Sequence, residues 1–250
     1  MIPIKTPAEV EIMREGGKKL AVVMEKVVKA TRPGVRLIEL ERLAAGLIAK
    51  SGGKPAFKKV RGYQFTTCLN VNEGVVHGMP NDYRIKEVDL VSVDIGLWYR
   101  GFNTDMAVSL AFGGRHREFL KVGQEALRRA VEVSQEGKRV GDISWAIETT
   151  IRSGGYQPVK VLTGHGVGRK LHEEPLIPCW VRRGKGVNGR EQLAGGMTLA
   201  IEVIYAKGKG EVVLEDDGWT IATQDGKMAG LFEGTVVVTS RGGEVLTVKD

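Results

Sequence analysis

Apolar residues recur at helical spacing near the start of the chain: Val10, Met13, Gly17, Leu20, Met24 and Val27 between Pro7 and Lys29, then Leu40, Leu43, Ala44, Leu47 and Ile48 between Leu37 and Ala49. This period predicts two amphipathic helices. Strand-like runs rich in β-branched residues follow over Val60 to Leu69, Val88 to Tyr99 and Phe102 to Phe112. Phe119, Leu120, Gly123, Leu127, Ala130 and Val131 mark a third helix, and a fourth is predicted from Asp142, read as its N-cap, to Ile151. Ala49-Lys-Ser-Gly-Gly53 and Ile151-Arg-Ser-Gly-Gly155 close the second and fourth helices alike. The pattern reads as one α+β domain of two related ααβ halves, about 1–112 and 113–250, rather than two independent domains.

Charged residues interrupt the apolar runs at a few positions. Asp94 lies within Val88-Asp-Leu-Val-Ser-Val-Asp-Ile-Gly-Leu-Trp, Glu202 within Leu199-Ala-Ile-Glu-Val-Ile-Tyr, and Glu233 within Ala229-Gly-Leu-Phe-Glu-Gly-Thr-Val-Val-Val. An ionised carboxylate in such a setting costs several kcal/mol unless compensated. Tyr99-Arg100-Gly101 reads as a tight turn, and a turn centred on Tyr99 and Arg100 sets Asp94 directly opposite Asp105, with Cβ atoms ~5 Å apart. His165 stands in Thr163-Gly-His-Gly-Val-Gly. Taken singly, each of these five is an ordinary turn, strand-face or loop residue. Together they read as a two-metal site, since two divalent cations cancel four carboxylate charges. Oxygen donors with one imidazole suit Mn, Fe or Co, with Zn a further candidate, and two ions ~3.5–4 Å apart activate a water for hydrolysis.

Composition narrows the setting. The 250 residues, 42% hydrophobic, suffice for a substantial core. Two cysteines, Cys68 and Cys179, give no disulfide framework and point to a reducing compartment. With no signal-peptide pattern and no 18-residue apolar run, the expected location is the cytoplasm, without membrane contact. The net charge of +7 is dispersed, its densest cluster being Arg182-Arg183-Gly-Lys185, and no nucleic-acid-binding module accompanies it. A solvated basic surface is therefore expected rather than a specific nucleic-acid site.

Asn72-Glu-Gly-Val-Val-His77-Gly-Met-Pro, the Asp94 and Asp105 pair, Gly164-His-Gly-Val-Gly-Arg-Lys-Leu-His172-Glu-Glu-Pro, Glu202 and Glu233 together resemble the type I methionine aminopeptidase family, over essentially the whole chain. The resemblance implies a pita-bread fold: an antiparallel sheet with helices behind it and pseudo-two-fold halves forming a single catalytic domain. It implies removal of the N-terminal methionine from nascent chains by a dinuclear centre. Asp94 would chelate one metal, Asp105 and Glu233 bridge both, and His165 and Glu202 complete the other's ligands. Glu202 would also shuttle a proton, His172 stabilise the oxyanion or scissile amide, and His77 contact the substrate backbone. Tyr63, Cys68 and Trp219, with Phe57 and Leu171 at neighbouring matched positions, would wall a methionine pocket; ordinary core packing is the alternative for all five. His116 remains, read as a surface residue at a helix start.

Three positions depart from the family pattern: Val203 stands where Pro usually follows the first glutamate, Gly234 where His follows the second, and Leu171 where an aromatic residue is expected. Type II relatives carry a long helical insertion before the last glutamates, whereas His172 and Glu202 are 30 residues apart. Proline-specific relatives share the ligands and carry a large N-terminal domain, and are the enzymatic alternative. A binding protein that kept the fold and lost catalysis is the non-enzymatic one, set against five retained ligands. A monomer is the expected state. With no zinc finger or linker read before Ile4, any weak ribosome contact falls to the basic surface.

Overall fold

The computed structural model describes residues 2–182 and 188–249. Arg183 and Lys185 of the basic cluster lie outside the described residues. Helices α1 (Pro7–Ala30) and α2 (Leu37–Lys50) open the chain, as the apolar spacing predicts. Thr6 caps α1 through a reciprocal box: its hydroxyl accepts from the Glu9 backbone N–H while the Glu9 carboxylate accepts from the Thr6 N–H.

The strands are β1 (Lys54–Pro55), β2 (Thr67–Val71), β3 (Gly74–Val76), β4 (Leu90–Tyr99) and β5 (Phe102–Ala111), with one 3₁₀ turn at Phe57–Lys59. Helices α3 (Arg117–Val133) and α4 (Val140–Ser153) come next. The rest of the chain forms β6 (Gln157–Pro158), β7 (Thr163–Gly166), β8 (Glu173–Pro178), β9 (Thr198–Ala206), β10 (Val212–Leu214), β11 (Ile221–Thr223), β12 (Ala229–Thr239) and β13 (Gly242–Val245). Ten strands build one sheet in the order β1-β4-β5-β12-β9-β7-β8, with β2 beside β4, β6 beside β9 and β13 beside β12; β10-β11-β3 forms a small second sheet. In the large sheet the strands of the two halves meet where β5 lies against β12, Ala107 opposite Glu233.

Strand parity divides the large sheet into two faces. Val91, Val93, Ile95 and Leu97 of β4 pack on Leu20, Val27, Leu40 and Ile48 of α1 and α2. Ile201, Val203 and Tyr205 of β9 share a core with Phe119, Ala126, Ile143 and Ile147 of α3 and α4. The alternate residues, Asp94 and Gly96 on β4 and Ala200 and Glu202 on β9, therefore point to the opposite face.

Three local expectations are corrected. The hairpin turns at Arg100-Gly101, both at positive φ (47° and 98°), and Tyr99 pairs with Phe102. Asp94 therefore faces Ala107 and Asp105 faces Gly96: the two carboxylates are diagonal neighbours on one face, not direct partners. Residues 60–66 are not strand: the Tyr63 N–H turns back to the Val60 carbonyl, and β2 begins only at Thr67, where the buried Glu41 carboxylate of α2 accepts from the Thr66 and Thr67 N–H groups. Asp142 is not the N-cap of α4. It sits three residues past Arg139, the cap, and accepts from the Arg139 N–H.

Candidate metal centre

The register of the large sheet collects the acidic residues on two adjacent rungs. One runs Cys68, Asp94, Ala107, Glu233, Glu202 across β2, β4, β5, β12 and β9. On the next, Gly96 faces Asp105, and Thr235 faces Ala200, which faces His165. Ala107, Gly96 and Ala200 leave space between the carboxylates. Thr235 was not among the expected site residues, yet its hydroxyl accepts from the Asp105 N–H (2.8 Å) and donates to the Asp105 carbonyl (2.9 Å), tying β5 to β12 at the ligand. Its one sequence signal is its place two residues beyond Glu233, on the same strand face.

His165 is held by its glycines for reasons of space rather than turning. A Cβ at Gly164 would stand 2.6 Å from the Ala200 carbonyl oxygen, and one at Gly166 2.2 Å from that of Glu174. Because the Gly166 carbonyl can only accept, the His165 Nδ1, 2.8 Å from it, carries the proton. Nε2 is thus left with its lone pair, 3.5 Å from the Glu202 carboxylate.

With its carboxylates ionised, this arrangement is unfavourable unless a cation occupies it. Asp94, Asp105 and Glu233 are at most 8% exposed, and each has one carboxylate oxygen without a hydrogen-bond partner. Asp105, His165 and Glu233 offer ligand atoms within 4.8 Å of one another. Burial, then repulsion from neighbouring carboxylates, pushes Asp94, Glu202 and Glu233 well above the ordinary carboxyl range, and burial raises Asp105 to about 7. Burial, then His172, lowers His165 to about 4, so its imidazole is neutral and able to ligate. An oxygen-rich donor set with one imidazole fits divalent cations such as Mn, Fe or Co.

Every sequence-predicted site residue lines one small cavity of about 110 Å³, including His77, His172, Phe57, Tyr63, Leu171 and Trp219. Val60 and Val76 line it as well and were not predicted. Val60 lies in the apolar run read as strand, and that reading hid it. β3 and β11 pair with Val76 opposite Ile221, which carries His77 and Trp219, just beyond those residues, to the same side. The Tyr63 ring meets Trp219 edge-on at 5.0 Å, and the Tyr63 hydroxyl donates to the Thr67 carbonyl at 2.8 Å. His172 stands edge-on to His165, ring centroids 4.5 Å apart. His116 sits apart, half-buried at the cap of α3 with Lys207 at 2.9 Å.

A cluster of buried carboxylates and one neutral imidazole, on the open face of an antiparallel sheet backed by helices, suits a metal-dependent hydrolase. The sequence profile of metallopeptidase family M24 matches residues 11–239, and the chain belongs to this family. The methionine aminopeptidase of Clostridium perfringens is 36% identical over 251 residues, covering 99% of both chains. The crystal structure of the methionine aminopeptidase from Thermotoga maritima superposes with a TM-score of 0.93 at 42% identity, covering 100% of both. Prolidase from Pyrococcus furiosus is similar at 25% identity and a TM-score of 0.78, and this chain covers 66% of its length. The fold is the pita-bread fold shared by these enzymes. Among the described residues, no helix is long and apolar enough to cross a membrane.

Proposed function

We propose that the cluster of Asp94, Asp105, His165, Glu202 and Glu233 is the centre at which this methionine aminopeptidase hydrolyses the first peptide bond of its substrates, and that residues 1–250 act as one catalytic domain. Asp94 would hold one of two divalent ions, Asp105 and Glu233 both, and His165 and Glu202 the second. When bound, the ions supply Lewis acidity, a water acidic enough to deprotonate near neutral pH, and a position for the free α-amino group of the substrate.

The chain's own groups do the rest. The Glu202 carboxylate takes a proton from the attacking water and returns it to the leaving amine nitrogen. His172 and His77 are kept neutral by burial, so a ring N–H of His172 donates to the oxygen that gains charge, and one of His77 to the substrate backbone beyond the scissile bond. Phe57, Tyr63, Cys68, Leu171 and Trp219 receive the methionine side chain and exclude water. Nascent polypeptide N-termini are the natural partners, met in the cytoplasm by a monomer.

The observation that carries this reading is the partnerless carboxylate oxygen on each of Asp94, Asp105 and Glu233, beside an imidazole lone pair. The test is methionine release from Met-Ala-Ser by metal-stripped protein given back Mn, Co, Fe or Zn. Release that needs metal, vanishes in Asp105→Ala and falls in His77→Ala is expected. Folded protein that releases no methionine with any of the four metals sinks the assignment.

A further inference from the structure

His172 is an exposed residue whose ring rests edge-on against His165, the centroids 4.5 Å apart. It lines both the cavity of the metal centre and a larger groove of about 590 Å³. With open space on two sides, the ring takes its position from its backbone. That position matters, because a donor aimed at a developing charge loses about 100-fold in rate when displaced by ~1 Å.

The backbone in question is a short turn, held from two directions. Within it, the Gly168 N–H donates to the Lys170 carbonyl and the Lys170 N–H to one Glu173 carboxylate oxygen, both at 3.0 Å. The other Glu173 oxygen accepts from the Lys5 ammonium at 2.5 Å, in an ion pair whose side chains are 4% and 7% exposed. Lysine is seldom buried so completely unless paired. Gly168 makes the room: a Cβ there would stand 2.4 Å from the Lys5 Cε. Lys5 is in turn fixed to the chain ahead of β9, its N–H donating to the Gly196 carbonyl at 2.8 Å.

The second hold comes from Asn103 on β5, which is 2% exposed. Its backbone N–H and its Nδ2 both donate to the Gly168 carbonyl, at 2.7 and 2.8 Å, and Nδ2 also reaches the Arg169 carbonyl at 3.2 Å. Asn103 lies two residues before Asp105, on the same strand face. The strand that carries a metal ligand and the turn that carries His172 are thus joined through one side chain. Neither Lys5 nor Asn103 lines the cavity of the metal centre, so neither is placed to touch the reacting atoms there.

We infer that Lys5 and Asn103 are positioning residues for the hydrolysis, fastening the turn from Gly168 to Glu173 so that the His172 ring meets the oxygen that gains charge. This rests on the peptidase reading above and deepens it: His172 works only while its turn is held from both sides.

The test uses Lys5→Met and Asn103→Ala, each shown by thermal melting to be folded at the assay temperature. Lys5→Met strands a buried carboxylate; if it does not fold, Asn103→Ala, which leaves every charge in place, carries the test. Because His172 acts in the transition state, kcat for Met-Ala-Ser should fall at least about tenfold in each variant, with KM within about twofold of wild type. Metal content should be unchanged. Over His172→Ala, either substitution should lower the residual kcat by less than about twofold, since the group it positions is gone. In crystals of the metal-free variants the His172 ring should sit ~1 Å or more from its wild-type place. A kcat near the wild-type value, an unmoved ring, or a loss over His172→Ala as large as in the wild type overturns the positioning role. Failure of the wild type to cleave Met-Ala-Ser would instead strike the peptidase reading, and the ring position in metal-free crystals would still decide whether Lys5 and Asn103 hold the turn.

Discussion

Glu202 and Glu233 face each other directly across the ladder between β9 and β12. Like charges on directly opposed positions repel, and burial of both compounds the cost. The pair makes sense as half of a cation cage: without cations it is held by protons, with cations by coordination.

Removing one of these charges should therefore separate stability from function. In metal-free protein, Glu233→Gln is expected to raise the melting temperature by about 2–4 °C, corresponding to roughly 1 kcal/mol for a chain of this size. The same variant should lose methionine release and most of the melting-temperature rise that Mn or Co gives the wild type. Thermal melts with and without metal decide it; a metal-free variant less stable than the wild type would contradict the repulsion.

Proton and metal compete for the same oxygens. Asp105 is raised from an ordinary value of 3.8 to about 7 by burial. Between those values the folded state holds a proton that the unfolded chain releases, so metal-free stability should decline as pH climbs through about 4 to 7. Metal affinity should rise over the same interval, because coordination needs the deprotonated carboxylate. Calorimetric titration of Mn at pH 5.5 and 7.5 would show this as tighter binding at the higher pH with proton release.

Cys68 is the small residue at the end of the carboxylate rung, beside Asp94 and inside the methionine pocket. Its thiol is buried and pushed far up in pKa by burial and by Asp94, so it is no nucleophile. Enlarging it fills the space a thioether would occupy: Cys68→Leu should cost about 10- to 100-fold in kcat/KM for methionyl peptides, from one or two lost methylene contacts plus overpacking. Metal content should be unchanged. Steady-state kinetics beside metal analysis would reveal a pocket role; undiminished kinetics would return Cys68 to ordinary core.

Two helical glycines should respond in opposite ways to the same substitution. A Cβ on Gly17, in α1, would stand 2.2 Å from the Leu246 carbonyl oxygen, whereas one on Gly46, in α2, meets nothing within 4 Å. Gly17→Ala should destabilise by about 1–3 kcal/mol, and Gly46→Ala should stabilise by about 0.5–1 kcal/mol through helix propensity. Urea unfolding of both variants gives the signs directly.

Much of this was legible in the chain itself. The first two helices fall within a residue of their expected ends, because their apolar stripes are uninterrupted and face one sheet. Asp94, Glu202 and Glu233 stood out because a charge inside an apolar strand demands a partner, a constraint that acts locally and so shows in sequence. Tertiary structure decided how those charges meet. The offset of Asp94 from Asp105 depends on whether the hairpin turns at Tyr99-Arg100 or Arg100-Gly101, and positive φ at Arg100 is not encoded by its side chain. Where β2 begins involves Glu41, 25 residues before Thr66, capturing the Thr66 and Thr67 N–H groups. The groove beside His172 exists because sheet order brings Lys5, Phe102 and Glu173 together across 168 positions of sequence separation between the first and last. Residue type and spacing determine which groups must be buried and with what compensation. The order and register of the strands, fixed by long-range pairing, determine where each group points and what it touches.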